Sequence, residues 1–280
     1  MIRIRLMRAE DLPTCMLLRE HAGFNQTEAD WRRFMALQPD GCFVAEWEGR
    51  PVGTVTNCLF GPIGWIAMLL VHKQFRGRGI GTRLMQHAME YLDQRGVATM
   101  RLDATPMGRP IYEKLGFVAE YGLVRLQGIA SAGGQPRSVR CATSGDLGSI
   151  LHLDRQVTGT DRSRLIRRLY QENPQVTRVI SAPGGQLLGY ITARPGMQAT
   201  QIGPGVAVEA DAGRALADAA LAHCAGRPVF IDIPLDNRAA MRWARDRGLE
   251  QQRPFTRMRR GAAVENKPAL MWASSGPEKG

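Results

Sequence analysis

The sequence is poor in cysteine, aromatic residues and long apolar runs, and each shortage excludes a class of protein. The 280 residues include 5 cysteines and 6% aromatic residues. No two cysteines form a Cys-x-x-Cys pair, so neither a zinc site nor a disulfide framework is indicated, and buried free thiols are favoured. No apolar run reaches the length of a membrane span, and the alternating start Met1–Leu6 lacks the apolar core of a signal peptide. We therefore expect a cytoplasmic protein without a membrane partner.

Acidic residues are also scarce relative to basic ones, with 26 Asp and Glu against 37 Lys and Arg and a net charge of +11. Nucleic-acid binding is one interpretation of that excess. The basic residues, however, are mostly arginines spread along the chain without an aromatic-interleaved patch. A polyanionic small ligand explains the charge with fewer assumptions, so we expect no nucleic-acid partner. The hydrophobic share of 44% is ordinary for a globular protein, and the length allows two domains.

A strand, a glycine-rich turn and a helix follow one another in the first half of the chain. The apolar run Trp65–Val71 predicts a buried strand, and the spacing of apolar residues over 82–94 predicts an amphipathic helix. Between them, Gly77, Gly79 and Gly81 alternate with other residues. Alternating glycines let successive backbone N–H groups turn inward, and the helix dipole adds to their effect, so the turn can cradle a phosphate.

Other phosphate-binding loops fit this turn less well. A P-loop closes with Gly-Lys-Ser/Thr, whereas Gly81 is followed here by Thr82 and Arg83. A dinucleotide-binding turn is followed by an acidic residue at the end of a second parallel strand, about 20 residues later. Asp103 stands near that distance but belongs to a different motif. The glycines alone fit a simple tight turn equally well.

That second motif comprises Leu102–Pro106 and then Gly108–Phe117, which contains Tyr-Glu-Lys-Leu-Gly-Phe. Together with Gln74–Gly79, it resembles the GNAT superfamily of N-acetyltransferases in both sequence and spacing. The resemblance covers residues 1–126 well. A finer resemblance, carried by Asn25–Trp31 and Leu102–Pro106, is to a bacterial subfamily with a second, degenerate acetyltransferase-like domain.

The pattern of the first half begins again after 128–136, a stretch of small residues that indicates a linker. Asp11 has its echo in Asp146, 135 positions later. Further echoes pair Trp31–Phe34 with Ile166–Leu169, Gly49 with Gly184, Met100–Asp103 with Val229–Asp232, and the Tyr112 segment with Met241–Leu249. A period of this length predicts two copies of one fold. We therefore predict tandem GNAT folds of the mixed α/β class: a catalytic domain over 1–127, a linker over 128–136 and a degenerate domain over 137–280.

The second copy differs where the chemistry of the first is expected. Its equivalent of the glycine turn, Val206–Arg214, keeps one glycine and contains Glu209 and Asp211, which would repel a pyrophosphate. Ala244 stands in the place of Tyr112. The second half is therefore predicted not to bind coenzyme A in the usual way.

The last part of the sequence offers only a weak pattern. Ala269–Ala273 is a candidate closing strand of the second sheet. Residues 278–280 are charged or small and are expected to fray.

The resemblance implies that an amine attacks the thioester of acetyl-CoA directly, without a metal. It assigns the pyrophosphate to backbone N–H groups of Arg76, Gly77, Arg78, Gly79, Ile80, Gly81 and Thr82. It assigns polarisation of the thioester carbonyl to a backbone N–H of the splayed segment Leu69, Leu70 and Val71. Tyr112 matches the general acid of the family. Thr105 stands where many members have an asparagine that contacts pantetheine.

The base and the acceptor site are less defined. Candidate bases are His72, Glu46, Asp103 and His21. Candidate acceptor-binding residues are Asn25, Trp31, Asp103, Asp161 and Arg162. Core packing is the alternative for Trp31, and a local ion pair is the alternative for Asp161 and Arg162.

These patterns predict an N-acetyltransferase that uses acetyl-CoA as co-substrate and a primary amine, favoured to be that of a small molecule, as acceptor. The alternatives are transfer of a longer acyl group and an acyl-CoA sensor without turnover. Amino acid, antibiotic and protein lysine acceptors stay open, and a homodimer is one assembly that the sequence allows.

Overall fold

The computed structural model describes residues 2–131 and 138–280, and packing divides the chain into two compact units, Met1–Leu102 and Asp103–Gly280. Residues 132–136 of the predicted linker lie outside the described residues, whereas Gly128 and Ile129 end a strand. The domain boundaries themselves stay a prediction. No helix in the described ranges is long and apolar enough to cross a bilayer.

The described residues of the first unit form five strands and three α-helices. Its strands are β1 Ile2–Leu6, β2 Cys42–Trp47, β3 Arg50–Phe60, β4 Ile63–Val71 and β5 Thr99–Ala104, the last of which runs two residues into the second unit. Its helices are α1 Leu12–His21, α2 Glu28–Leu37 and α3 Ile80–Gln94.

The sheet of the first unit follows chain order, β1-β2-β3-β4-β5. Neighbouring strands are antiparallel except β4 and β5, which are parallel because α3 crosses over between them. The buried face of α3 carries Ile80, Leu84, Ala88 and Leu92, at the spacing of one helical stripe. This helix begins two residues earlier than predicted, because Gly79 adopts a left-handed conformation and Ile80 is already buried in the core.

A capping box fixes the first turn of α2. The backbone N–H of Thr27 donates to Asp30 at 2.9 Å, and the two residues form a capping box. The cap sets where the preceding loop ends, and Asn25 and Gln26 of that loop are buried.

The second unit holds the remaining elements. Its helices are α4 Arg109–Lys114, α5 Leu147–Thr158, α6 Ser163–Glu172, α7 Ala210–His223 and α8 Arg238–Asp246. Its strands are β6 Val118–Ile129, β7 Val139–Cys141, β8 Arg178–Ser181, β9 Leu187–Arg194, β10 Thr200–Ala207, β11 Pro228–Pro234, β12 Glu250–Gly261 and β13 Met271–Ala273.

The strand β6 lies between β11 and β12 in the order β12-β6-β11-β10-β9-β8-β7. Most of β6 lies within the predicted first domain, 1–127, yet its hydrogen-bonded neighbours both come from the second half. Within this sheet β10 and β11 are parallel, and the other neighbours are antiparallel. β6 and β12 therefore join the two halves of the sequence by backbone hydrogen bonds.

The predicted repeat is visible in matching ion pairs at the start of each half. Arg5 Nη1 and Nη2 donate to the two Asp11 carboxylate oxygens at 2.7 and 2.8 Å. Arg140, 135 positions after Arg5, makes the same two bonds to Asp146 at 2.7 Å each. Each aspartate also accepts a backbone N–H three residues before it. One helix-entry geometry is therefore used twice.

The expectation that residues 278–280 fray is wrong. Glu278 and Lys279 are 3% and 0% exposed, and the Arg194 guanidinium donates to the Glu278 carboxylate. These charged residues can be buried because the Glu278 carboxylate is paired with the buried Arg194 and with Lys279. Arg194 is distant in the sequence, so local composition does not reveal it. Of the predicted strand Ala269–Ala273, Met271–Ala273 form β13, and the two residues before them belong to a 3-10 helix.

Candidate active site

The strand β4 carries a bulge that changes the course of its backbone. Thr54 faces Leu70 and Thr56 faces Ala67, so Val55 of β3 lies opposite two residues of β4. One of these two, Met68, has a φ of +49°, and its carbonyl accepts a hydrogen bond from the Thr54 hydroxyl at 2.9 Å. A non-glycine residue in this conformation is strained, and such strain clusters at functional sites.

The strands β4 and β5 separate after their first three paired residues. Their parallel ladder extends only over 63–65 and 99–101, although β4 continues to Val71. In the part of the chain that the structure describes, no third strand pairs with β4. The segment Leu69–Val71 therefore has a backbone edge that is outside the ladder, which is where the sequence analysis expects the thioester contact.

The glycine turn leads from β4 into α3. Gly77 and Gly79 both have a φ of +76°, and a Cβ added at either would meet nothing within 4 Å. The helix begins without a side-chain cap, and its first backbone bond runs from Arg83 N to Gly79 O at 3.0 Å. The N–H groups of the first turn, at Ile80, Gly81 and Thr82, thus remain for a ligand. This is the geometry of an anion site at a helix start.

Two arginines place positive charge beside this turn. Arg76 Nε donates to the carbonyl of Val71 at 3.2 Å, which ties the turn to the end of β4. The Arg78 guanidinium lies 5.2 Å from the ring centre of Trp47 and 5.5 Å from that of Phe75. Stacking on two aromatic rings restricts the guanidinium while leaving its residue exposed. The turn can therefore attract an anion by charge as well as by backbone N–H groups.

Tyr112 lies on α4 and is half-buried against Phe117, with ring centres 6.1 Å apart. Burial raises the pKa of Tyr112 to about 12. The phenol is therefore neutral at physiological pH and can donate a proton. In the turn before α4, the hydroxyl of Thr105 accepts the Gly108 N–H at 3.2 Å, so this side chain shapes the start of the helix.

The four candidate bases have different environments. Each carboxylate is paired with an arginine: Arg5 Nε lies 2.7 Å from Glu46 Oε1, and Arg257 Nε lies 2.8 Å from Asp103 Oδ1. The rings of His21 and His72 contact each other edge to face, with centres 4.9 Å apart. Burial, followed by the nearby charges of His21, Lys73 and Arg76, lowers the pKa of His72. A neutral imidazole is therefore present directly after β4.

The candidate acceptor residues of the first half lie in the core. Asn25 is 2% exposed and Trp31 is fully buried. The Trp31 ring packs edge to face on Phe34 with ring centres 6.1 Å apart, as the alternative of core packing predicts. Its indole Nε1 has no hydrogen-bond partner among the described residues.

The candidates of the second half do not pair with each other. Arg162 donates to Asp154 at 2.6 and 3.1 Å, and Tyr190 donates to the same carboxylate at 2.6 Å. Asp161 instead accepts the backbone N–H of Ser163 at 3.1 Å. The structure therefore brings Arg162 into a buried network rather than into a local ion pair.

The carboxylate of Asp103 is likewise buried, and Arg257 of β12 donates to both of its oxygens at 2.8 and 2.9 Å. Arg257 also donates to the Tyr121 hydroxyl at 2.7 Å. Sequence reasoning missed this partner, which is 154 positions away. It also missed Met68, whose only signal is its place in an apolar strand just before the glycine turn.

Comparison with known proteins agrees with this geometry. Residues 7–117 match the model of the Acetyltransferase (GNAT) family, and residues 150–272 match that of the Acetyltransferase (GNAT) domain. The chain belongs to the GNAT superfamily. It is a tandem GNAT protein and an N-acyltransferase, and its two matched segments agree with the repeat found in the sequence.

Three known proteins, among others, match this GNAT protein over nearly its full length. The holothin acyltransferase of Pseudoalteromonas sp. is 26% identical over 90% of this chain and 85% of its own. A crystal structure of a putative acetyltransferase from Pyrococcus horikoshii is 25% identical, with a TM-score of 0.86 over 100% of this chain and 96% of the other. A tandem GNAT protein from the clavulanic acid biosynthesis pathway shares the fold, at 16% identity and a TM-score of 0.66 over 95% and 100% of the two chains.

Proposed function

We propose that the first half, residues 1–127, transfers an acetyl group from acetyl-CoA to a primary amine of a small molecule. The observation that carries the proposal is the separation of β4 from β5 after residue 65, beside the bulge at Met68, because it leaves the edge of Leu69–Val71 outside the β4–β5 ladder, directly before the glycine turn. A thioester along this edge would have its carbonyl oxygen near the N–H groups of Leu69–Val71. An oxyanion contact of this kind stabilises a transition state by a few kcal/mol.

The glycine turn fits the pyrophosphate of coenzyme A. A Cβ at Gly77 or Gly79 would take up space that is otherwise open in front of the N-terminus of α3. The N–H groups of Ile80–Thr82 supply donors, and Arg76 and Arg78 supply charge. When bound, acetyl-CoA supplies a thioester carbon for the amine to attack. The residues of the chain hold that group and move the protons.

We assign the role of general acid to Tyr112. Its hydroxyl would give its proton to the sulfur that leaves when the C–S bond breaks. A pKa near 12 keeps the phenol protonated over the whole physiological range, so the proton is available at each turnover.

We assign the role of base to His72. The acceptor enters as an ammonium ion, and its nitrogen must lose a proton before it can attack. Both candidate carboxylates are already held by arginines, whereas His72 is neutral at pH 7 because its pKa is lowered. The Nδ1 atom of His72 accepts the Gln74 backbone N–H at 3.3 Å, so Nε2 would receive the proton.

A longer acyl group is the second candidate substrate. The relative that covers 90% of this chain is named an acyltransferase, which does not restrict the group to acetyl. Thioesters of increasing chain length, each offered with the same acceptor, would rank the two candidates by kcat/KM.

The test is thiol release from acetyl-CoA with a panel of amines and amino acids, compared between wild type and Tyr112→Phe. We expect release that depends on one acceptor, and a kcat lowered about 10²- to 10⁴-fold in the variant, with acetyl-CoA affinity unchanged. Tyr170→Phe, a half-buried tyrosine on α6, is the matched control and should keep the wild-type rate. Tight binding of acetyl-CoA without thiol release would support the alternative of an acyl-CoA sensor. Full activity of Tyr112→Phe would refute the role of Tyr112 as general acid.

A further inference from the structure

The second half repeats the strand separation of the first half. Its parallel strands β10 and β11 pair only over 200–202 and 229–231, three residues on each strand, as β4 and β5 do over 63–65 and 99–101. Beyond this point β10 continues to Ala207 and β11 to Pro234. Both halves therefore contain a cleft between two diverging parallel strands.

In the second half this cleft is filled by residues 271–280, which we call the closing segment. Its strand β13 pairs antiparallel with β10, with Met271 opposite Val206 and Ala273 opposite Gly205. On the other side, the Ser274 N–H donates to the carbonyl of Asp232 on β11 at 2.8 Å. The closing segment therefore makes backbone hydrogen bonds to both walls of the cleft.

A tryptophan anchors the closing segment against the helix that follows β10. The indole of Trp272 is 3% exposed and lies so close to Gly213 of α7 that a Cβ there would overlap it. Its ring centre is 6.3 Å from that of Trp243 on α8. The side chain of Asn237, at the start of α8, donates to the Met271 carbonyl at 3.0 Å. Residues from three sides of the cleft thus recognise one short stretch of backbone and one indole.

The charged end of the closing segment is received by buried arginines. Arg194 donates to the Glu278 carboxylate, and Lys279 Nζ lies 2.9 Å from the same carboxylate. Arg162 donates to the carbonyl of Gly280. Arg194 is the last residue of β9 and Arg162 directly precedes α6, and each is less than 5% exposed. Buried arginines are rare in cores without a partner to receive their charge, so they are features of a built site.

We propose that the second half is a peptide-binding domain whose cleft holds the closing segment of its own chain. The ligand class is a peptide with a short extended stretch and then a turn, in which a tryptophan is followed, six residues later, by an acidic residue, in the pattern Met-Trp-Ala-Ser-Ser-Gly-Pro-Glu-Lys-Gly. Binding uses strand addition to β10, an indole pocket at Gly213 and an arginine-lined end. This inference goes beyond the proposed transferase activity and does not depend on it.

The test converts the closing segment into a separable ligand. A specific protease site is inserted between Ala262 and Ala263, which are both exposed, and the purified full chain is then cut there. We expect the fragment that contains residues 263–280 to stay with the body on gel filtration. After mild denaturant removes it, a synthetic peptide of residues 263–280 should bind the body with a stoichiometry of one by calorimetry. Elution of the free fragment from a body with native circular dichroism would overturn the proposal.

Two alanine variants make the test specific to the indole pocket. Gly213→Ala should weaken peptide binding at least tenfold, because its methyl group would overlap Trp272. Gly148→Ala on α5, where an added Cβ meets nothing within 4 Å, should bind within twofold of wild type. Equal affinities of the two variants would overturn the proposal.

A measurement on the uncut chain applies even if the cut body unfolds. In the intact protein, hydrogen exchange at amides 271–275 should be as slow as in β10 and β11. It should accelerate at least tenfold in Gly213→Ala but not in Gly148→Ala. Exchange at these amides as fast as in the exposed stretch 261–263, or equal exchange in the two variants, would also overturn the proposal.

Discussion

The glycine turn offers a perturbation whose effects on stability and on binding can be separated. Gly79 has a φ of +76° at the start of α3, and Gly96 has a φ of +66° just after its end. An added Cβ meets nothing within 4 Å at either position. Alanine at either site should therefore cost the same backbone strain, about 1–2 kcal/mol of the free energy of unfolding. The two sites are 17 residues apart in number, or about 25 Å along the helix axis.

Of the two variants, only Gly79→Ala should weaken the binding of acetyl-CoA. Its methyl group would project into the open space that we assign to the pyrophosphate, and it would push one charge-assisted N–H···O bond out of range. Such a bond contributes about 1.5–3 kcal/mol, which corresponds to a rise in Kd of about 10- to 150-fold. Gly96→Ala, with the same strain at the far end of the helix, should leave Kd within twofold.

Calorimetric titration with acetyl-CoA and thermal unfolding of the same samples measure the two effects. We expect Tm to fall by a few degrees in both variants and Kd to rise in Gly79→Ala alone. If Gly79→Ala bound acetyl-CoA with wild-type affinity, the assignment of the glycine turn as the pyrophosphate site would be refuted. An equal loss of affinity in Gly96→Ala would show that general destabilisation, rather than the lost contact, weakens binding.

Three further predictions concern other parts of the molecule. Arg162→Gln should lower the free energy of unfolding by about 3–5 kcal/mol in denaturant titration, because it leaves the buried Asp154 carboxylate without its guanidinium partner. Arg32→Gln removes an exposed ion pair and should change the same free energy by less than about 1 kcal/mol. His72 must be neutral to act as base and its pKa lies below 6.5, so kcat/KM should rise with pH below 6.5 and level off above it, and His72→Gln should remove that rise. One acetyl-CoA should bind per chain by calorimetry, and a second equivalent would contradict the prediction that the second half does not bind it.

The parts of the site that the sequence predicts are those encoded in contiguous residues. The glycine turn and the segment around Tyr112 are local motifs, so a few contiguous residues are enough to recognise them. The repeat is equally visible, since Arg5 with Asp11 and Arg140 with Asp146 are short-range pairs. The fold class followed from these local features and from the resemblance.

The parts that the sequence does not predict depend on partners that are distant in the chain. Asp103 is a candidate base by position, but its partner Arg257 comes from a strand 154 positions later. The strand β6 is recognisable as a strand, yet the identity of its neighbours is decided by the whole sheet, because any exposed strand edge can pair with another. A pattern of residues contains no information of this kind.

The closing segment connects these two observations. Where two parallel strands diverge, each exposes backbone N–H and C=O groups, and leaving such groups buried and unpaired costs about 1–3 kcal/mol each. A cleft of this kind therefore needs an occupant, which in the first half we propose to be the thioester. The second half has Glu209 and Asp211 at the start of α7 in place of the glycine turn, and these acids would repel an anionic occupant. Because the second half is predicted not to bind a cofactor, the edge of β10 must be satisfied by the chain itself, and β13 pairs with that edge.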